Sequence, residues 1–419
     1  MRIIVIGASH AGIAFVDAMR RHGFSGKLIL IDRLTGVPLE RPPLSKAFLV
    51  ADAGDDDRFV LRKSDWFAAN DIQLLSGMEA TSLDAEARLV RTGDGQELAY
   101  DRLVLATGAT PRRLAGTEGL SGVFELRHPQ DASRLRAAAA KARSAVVIGG
   151  GYIGLEVAAT LAKSGKAVSV VEAAPRLLAR VASQPISEFF ADLHSHAGSR
   201  VMTGATVTSI ESDSGAVSGV TLEDGQRLET DMLVVGIGVV PEMTLAASAG
   251  IETGNGILVD DGMETSAAGI YAIGDGALRR GSARGIPPHI PPHIPPGIRI
   301  ESVHNAQDSA ERAAAAICGQ GAPADQAPWF WSEQFDVRLQ SAGIVPAAGD
   351  TVCHIRRPGK REGGFSVWSY EGDVLRAVEA VRDPAGYMLG KSCLEKGLSP
   401  TPEQVGDPAF DLKTFVAAK

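Results

Sequence analysis

Residues 145–172 read AVVIGGGYIGLEVAATLAKSGKAVSVVE, and little else in the chain restricts its fold so tightly. Ala145–Ile148 is a short apolar run leading into glycine, the pattern of a strand buried in a parallel sheet. The turn Gly149-Gly150-Gly151-Tyr152-Ile153-Gly154 then sets G-x-G-x-x-G at the strand-to-helix junction. Gly149 permits the tight turn, Gly151 keeps a side chain away from an approaching pyrophosphate, and Gly154 lets the helix pack close to the strand. That helix, about Gly154–Ser164, aims its free N–H groups and positive dipole end at the phosphates. A second strand, Ala167–Val171, ends at Glu172, whose carboxylate suits the hydroxyls of an adenosine ribose. A lone glycine motif is weak. Strand, turn, helix, strand and terminal acid in one unit specify a dinucleotide-binding βαβ unit.

The N-terminus repeats this pattern in variant form. Strand Arg2–Ile6 leads into Gly7-Ala8-Ser9-His10-Ala11-Gly12 and a helix to about Arg21, and a second strand, Lys27–Ile31, ends at Asp32. Ser9 stands where a second glycine is usual and is small enough to keep the phosphate approach open. Each unit holds one adenine dinucleotide, so the fold class is α/β with two Rossmann-like dinucleotide-binding domains. One permanent and one exchangeable dinucleotide imply a flavoprotein that takes hydride from a nicotinamide. At the second site Glu172 repels a 2′-phosphate, Ala173 and Ala174 follow, and Arg176 is the nearest base, which favours NADH over NADPH.

A chain of 419 residues has room for two or three domains. Its net charge of −8 argues against a general nucleic-acid or anionic-membrane surface. Cys318, Cys353 and Cys393 are scattered without a CxxC, as expected of reduced structural thiols in the cytoplasm. The first residues already read as a strand, which leaves no room for a signal peptide. No apolar run approaches the roughly 20 residues a membrane span needs.

Further motifs follow in order. Leu39-Glu40-Arg41-Pro42-Pro43-Leu44-Ser45-Lys46 reads as a proline-stiffened loop presenting Arg41, Ser45 and Lys46. Leu103–Gly108 is an apolar strand ending in Ala106-Thr107-Gly108, and Gly236–Pro241, with Gly238, is a second strand-end crossing. Gly269–Asp275 is an apolar strand ending in Gly274-Asp275, and Glu301-Ser302-Val303-His304-Asn305-Ala306 opens an alanine-rich helix. Between them the Ile-Pro-Pro-His repeat of residues 285–297 reads as a stiff polyproline II loop, with His289 and His293 a weak metal signal. Trp329-Phe330-Trp331-Ser332 begins a small α+β domain, with strands at Phe335–Leu339, Phe365–Tyr370 and Val374–Val381 and a helix at Tyr387–Lys396. Domains are therefore expected at 1–113 with 236–328, at 114–235, and at 329–419. Within the second, an alanine- and arginine-rich helix is expected at Asp131–Arg143, and strands over 200–232, including a hairpin of Val217–Leu222 with Gln226–Glu229, are expected to close its sheet.

ERPPLSK, LATG, GGGYIGLE, YAIGD, ESVHNAQD and PWFWSEQ occur here in the order in which one family carries them. The chain resembles, over nearly its whole length, the FAD-dependent NADH:ferredoxin reductases that serve cytochrome P450s and Rieske oxygenases. That family usually has tyrosine before ERPPLSK, where this chain has Leu39. The resemblance implies FAD contacts from Gly7, Ser9, His10, Ala11, Gly12, Asp32, Arg33, Arg41 and Lys46. Further along the chain it adds Ala106, Thr107, Gly108, Gly274, Asp275, Ser302, Val303 and Trp331. It implies NADH contacts from Gly149, Gly151, Tyr152, Ile153, Gly154, Glu156, Glu172 and Gly238. Lys46, Glu156 and Trp331 take the catalytic positions, with Glu156 facing the nicotinamide and pairing with Lys46.

The implied reaction is hydride transfer from NADH to flavin N5, then two single-electron transfers to a [2Fe–2S] ferredoxin. Arg279, Arg280, Arg284 and Arg299 are candidates for a basic docking surface, and the protein would be a monomer or homodimer. Disulfide and peroxide reductases of similar architecture need a cysteine near the flavin, and none precedes Cys318. An NADH oxidase reducing oxygen directly needs no further residue type. A non-enzymatic binding protein like apoptosis-inducing factor, which attaches to nucleic acid, is disfavoured by the acidic balance.

Overall fold

The computed structural model describes residues 1–52, 54–280 and 297–418. A five-stranded parallel sheet runs in the order Ile72–Ser76, Lys27–Asp32, Arg2–Ile6, Arg102–Leu105, Ile270–Ala272. Its inner strands are unbroken apolar runs because both faces are covered: Ile3, Ile4, Val5, Leu28, Leu30, Leu103 and Val104 are fully buried. Helices His10–Arg21 and Val303–Ile317 lie side by side, tied by Arg21 and His22, which each reach Glu311 at 2.7 Å. An antiparallel meander, Ala80–Asp84, Leu89–Thr92 and Glu97–Ala99, contributes Leu83 and Val90 to the same core.

The second unit repeats the plan. Its parallel sheet runs Arg200–Thr203, Ala167–Glu172, Ser144–Ile148, Leu233–Val235, Val123–Glu125. Alternation along the strands divides its two faces. Ala145, Val147, Val168 and Val170 meet the cluster containing helices Tyr152–Lys163 and Gln184–His196, whereas Val146, Ile148 and Val171 meet Val217, Val220 and Leu228. The expectation that residues 200–232 close the sheet is therefore corrected for all but Arg200–Thr203. Val207–Asp213, Ala216–Leu222 and Arg227–Glu229 form a separate antiparallel sheet that covers one face. The helix expected at Asp131–Arg143 forms instead at Pro129–Ala139. Proline's fixed φ suits its first turn, and the Asp131 carboxylate accepts from the N–H groups of Arg127 and His128.

The chain enters and leaves this second unit through two short segments, Ala109–Pro111 and Val239–Pro241, which pair with each other antiparallel. The last unit is a five-stranded antiparallel sheet in the order Trp329–Gln334, Val337–Gly343, Val374–Val381, Phe365–Glu371, Val352–Pro358, packed on helix Pro384–Glu395. Phe335 was expected inside a strand and instead occupies the hairpin turn, with φ +56. Val352–Pro358 was not foreseen. One face of this sheet, through Val337, Leu339, Phe365 and Val381, shares a core with the second parallel unit. Among the described residues no helix is long and apolar enough to cross a membrane. Residues 285–296 of the Ile-Pro-Pro-His repeat, including His289 and His293, lie outside the described residues, as does Arg284.

Candidate functional site

The two glycine loops are built by one hydrogen-bond scheme. In the first, Asp32 Oδ2 accepts from Ala8 N at 3.2 Å and Oδ1 from Leu34 N at 3.0 Å. In the second, Glu172 Oε2 accepts from Gly150 N at 2.6 Å and Oε1 from Ala174 N at 2.7 Å. Each strand-end carboxylate therefore fixes its own glycine loop as well as facing the place expected for a ribose. Gly12 and Gly154 hold helix to strand so tightly that a Cβ would lie 1.9 Å from Gly7 O and 2.1 Å from Gly149 O. Gly151 differs: a Cβ there would meet nothing within 4 Å, so the space its missing side chain leaves is free for a ligand.

Around the first loop a group of basic side chains converges. Arg41 donates to Ser9 Oγ at 3.2 Å, to the Arg127 carbonyl at 2.5 Å and to His128 Nδ1 at 2.9 Å. Arg33 reaches the other nitrogen of His128 at 3.1 Å, and Arg127 pairs with Asp275 at 2.9 Å. Arg41 has no carboxylate partner among the described residues, and burial, with Arg127 adding repulsion, lowers it to about 10. Burial first, then Arg41, holds His10 and His128 down at about 4, so both are neutral at ordinary pH. A partly buried guanidinium without an acid among the described residues, beside neutral imidazoles and the N-terminus of helix His10–Arg21, is a donor set that fits the diphosphate of FAD.

At the far end of that cradle Gly274 N donates to Ser309 Oγ at 2.9 Å, and Ser302 caps helix Val303–Ile317 through Asn305 N at 3.0 Å. Asn305 in turn donates to the Gly274 and Ile300 carbonyls, which ties the Gly274-Asp275 turn to the N-terminus of that helix. Thr107 Oγ1 donates to the Glu242 carbonyl at 2.7 Å, while Ala106 and Gly108 line the same strand ends. Of the residues expected to hold FAD, Ser9 thus meets Arg41, Gly274 is tied to helix Val303–Ile317, and Asp275 faces Arg127. Arg127 and His128 went unforeseen because nothing local marks them: 86 residues separate Arg127 from Arg41.

Lys46 and Glu156 stand between the two cradles. The expected contact is present: Lys46 Nζ donates to Glu156 Oε2 at 2.7 Å, with side chains 18% and 3% exposed. The Leu39–Lys46 segment is less a loop than expected, since Pro42–Ser45 forms a 3₁₀ turn that also brings the Ser45 hydroxyl onto Glu156. Ser332 Oγ donates to Glu156 Oε1 at 2.7 Å from the C-terminal unit. Strand alternation explains this. Phe330, Ser332 and Gln334 face helix Tyr152–Lys163, with Phe330 stacked on Tyr152 at 4.5 Å, whereas Trp329 and Trp331 face away, 5.7 Å apart. Trp329 also meets His304 at 5.3 Å, so a row of rings runs from the FAD-side helix to the second glycine loop. Burial pushes the Tyr152 hydroxyl well above its ordinary value. Ile153, 46% exposed, and Gly238, within reach of Arg180, flank the open side at Gly151.

The arginines named in the sequence have partners of their own. Arg176, the nearest base to Glu172, is spent on the Ala179 and Ala182 carbonyls and on Ser187, and so is unavailable to a 2′-phosphate. Of the four arginines expected to form a basic docking surface, the three within the described residues are each paired with an acid. Arg279 pairs with Asp325 at 2.9 Å, Arg299 is 6% exposed and paired with Glu301, and Arg280 is paired with Glu252.

Two duplicated dinucleotide cradles flanking one ionic pair match a known family model, described as pyridine nucleotide-disulphide oxidoreductase, over residues 1–310. The chain belongs to this family. Residues 329–416 match a second model, the reductase C-terminal domain. This pyridine nucleotide-disulphide oxidoreductase is 40% identical to rhodocoxin reductase of Rhodococcus erythropolis, over 100% of this chain and 95% of the relative. It is 36% identical to putidaredoxin reductase of Pseudomonas putida, over 99% and 97% of the two chains. Among solved structures, a ferredoxin reductase from Rhodopseudomonas palustris superposes with a TM-score of 0.92 at 38% identity, over 99% of each chain. The reductase in a covalent putidaredoxin reductase–putidaredoxin complex gives 0.92 at 36% identity, over 100% of this chain and 98% of the other.

Proposed function

We propose that this oxidoreductase is an FAD-dependent NADH:ferredoxin reductase that supplies electrons to a cytochrome P450 or Rieske oxygenase through a [2Fe–2S] ferredoxin. The observation that carries the reading is the Lys46–Glu156 pair, buried between an enclosed cradle and an open one, with no cysteine before residue 318. Bound FAD supplies the conversion of a two-electron hydride donor into a one-electron donor. The chain's own residues bind and orient. The Gly7–Gly12 loop, Asp32, Arg41 and Arg127 would hold FAD, and Gly149–Gly154 and Glu172 would hold NADH. Lys46 brings a fixed positive charge to the junction, and Glu156 fixes Lys46. Trp331, on the opposite face of its strand from Ser332, would meet the flavin as the family resemblance implies. The commitment of Arg176 elsewhere supports NADH over NADPH.

The test is NADH- and NADPH-driven cytochrome c reduction with a panel of [2Fe–2S] ferredoxins, against reoxidation by air. Ferredoxin-dependent turnover with NADH above the air background is expected. If no ferredoxin accelerates electron flow and oxygen consumes the NADH, the protein is an oxidase and the proposal is wrong.

A further inference from the structure

The Glu156 carboxylate is gripped from two other parts of the chain. Lys46 and Ser45 come from the first unit and donate to Oε2, while Ser332 Oγ and Glu333 N come from the C-terminal strand and face Oε1 at 2.7 and 3.4 Å. Behind Ser332 the bonds continue. Gln334 Nε2 donates to Ser332 Oγ at 3.2 Å, and Gln334 Oε1 lies 2.9 Å from His194 Nε2. Ser332, Gln334 and His194 are all fully buried.

Hydrogen inventory sets the direction of these bonds. Ser332 has one hydroxyl hydrogen, and because Gln334 donates into its oxygen, that hydrogen is left for Glu156. Gln334 Oε1 can only accept, so His194 carries its proton on Nε2. Burial holds His194 below its ordinary range and therefore neutral. Reversing the Gln334 amide would turn the Ser332 hydrogen away from Glu156. It would also move the imidazole proton to Nδ1, which is buried and has no partner among the described residues. The orientation present pairs the imidazole N–H and leaves only the Nδ1 lone pair without a partner among the described residues, and every bond from His194 through Gln334 and Ser332 donates toward Glu156.

We propose that Ser332, Gln334 and His194 are positioning residues for the Lys46–Glu156 pair, a one-way donor chain that locks the carboxylate in the orientation Lys46 requires. The C-terminal unit thereby takes part in the reaction with NADH. For what the pair does, this rests on the function proposed above; the chain of donors itself does not. Without Ser332, Oε1 keeps, among the described residues, only the 3.4 Å contact to Glu333 N, so the carboxylate is held from its Oε2 side alone and the orientation that meets Lys46 is less tightly fixed.

The test uses the FAD-loaded, full-length protein with Ser332→Ala and, working from the other side, Gln334→Leu. In stopped-flow reduction by NADH both are expected to lower the limiting rate about tenfold or more, with the NADH dissociation constant within about threefold of wild type. A defect of folding or of the NADH pocket would move both quantities. The second readout needs no turnover: the ¹⁵N resonances of His194 in the oxidised protein. Nε2-protonated neutral imidazole is expected, and Glu156→Gln is expected to shift its signal in the wild-type background but not in the Ser332→Ala background. Wild-type limiting rates in either variant, or a His194 signal indifferent to Glu156→Gln, overturn the proposal. If NADH fails to reduce the wild-type protein, the functional reading falls, and the His194 coupling alone then decides whether the chain of donors operates.

Discussion

Gly151 and Gly154 belong to one motif, three residues apart, yet the structure gives them opposite consequences on replacement by alanine. Gly151 has φ −81 and ψ 176, a backbone any residue adopts, and a Cβ there meets nothing within 4 Å. Losing glycine's unfolded-state entropy helps and losing it at the N-cap hurts, so Gly151→Ala is expected to leave stability within about 0.5 kcal/mol of wild type. The methyl group does occupy the space left for a pyrophosphate. Forfeiting one charge-assisted backbone bond, about 1.5–3 kcal/mol, weakens NADH roughly 10- to 150-fold. Gly154→Ala puts its Cβ 2.1 Å from Gly149 O, and either helix or strand must move. That costs about 1–3 kcal/mol, or ~2–4 °C in Tm for each kcal/mol. Calorimetric titration of NADH, FAD content and a thermal melt on both variants separate the two effects. If Gly151→Ala binds NADH within threefold of wild type, the open space at Gly151 is not the dinucleotide site.

Other expectations follow from single features. Lys46→Met leaves Glu156 with neutral donors only, and the rate of flavin reduction by NADH is expected to fall about 100-fold or more in stopped flow. Glu379 is fully buried, accepts from Ser183 N with both oxygens, and is raised by burial from 4.5 to about 7. Its folded form holds a proton longer than its unfolded form, so the stability it contributes is complete below pH 4.5 and is lost as pH rises to about 7. Glu379→Gln is therefore expected to gain on wild type by on the order of 3 kcal/mol across that window and to run parallel above it, read from denaturant melts at stepped pH. Arg357 donates to the carbonyls of Gln404, Val405, Asp407, Pro408 and Phe410. Arg357→Met is expected to speed proteolytic clipping of the 404–410 segment severalfold while FAD content holds.

The parts of this fold that were legible in the sequence are those written at short range. Apolar run, glycine spacing and terminal acid all fall within 28 residues at Ala145–Glu172, and the same pattern marks Arg2–Asp32. Where a structure depends on what distant segments do, the signal fades. Val352–Pro358 is an edge strand reading Val-Cys-His-Ile-Arg-Arg-Pro, too polar to announce itself because no strand pairs on its outer side. The antiparallel strands over 207–229 were visible as strands, but their sheet was not, since either packing satisfies the same alternation. Phe335 at φ +56 contradicts its local preference because the hairpin's register leaves only Phe335 and Asp336 to make the turn. Lys46–Glu156 was found only through a resemblance, and Ser332 on the same carboxylate, 176 residues from it, not at all. Arg279, Arg280 and Arg299 turned out to be paired because a count of charges does not say which acids lie opposite them.

The duplicated grip at Asp32 and Glu172 carries a kinetic consequence. Both loops are set by the same pair of backbone bonds, so the grip cannot by itself distinguish a ligand that stays from one that leaves. The difference lies in the surroundings. The first loop is closed over by Arg41, Arg127 and His128, while the second is bare at Gly151 and flanked by the exposed Ile153. Under the function proposed above, residence time would be assigned by the cover and not by the cradle: FAD would wait for side chains to part, and NADH would exchange with every cycle. Grafting a cover onto the second loop would slow release of spent coenzyme before it changed anything about the chemistry.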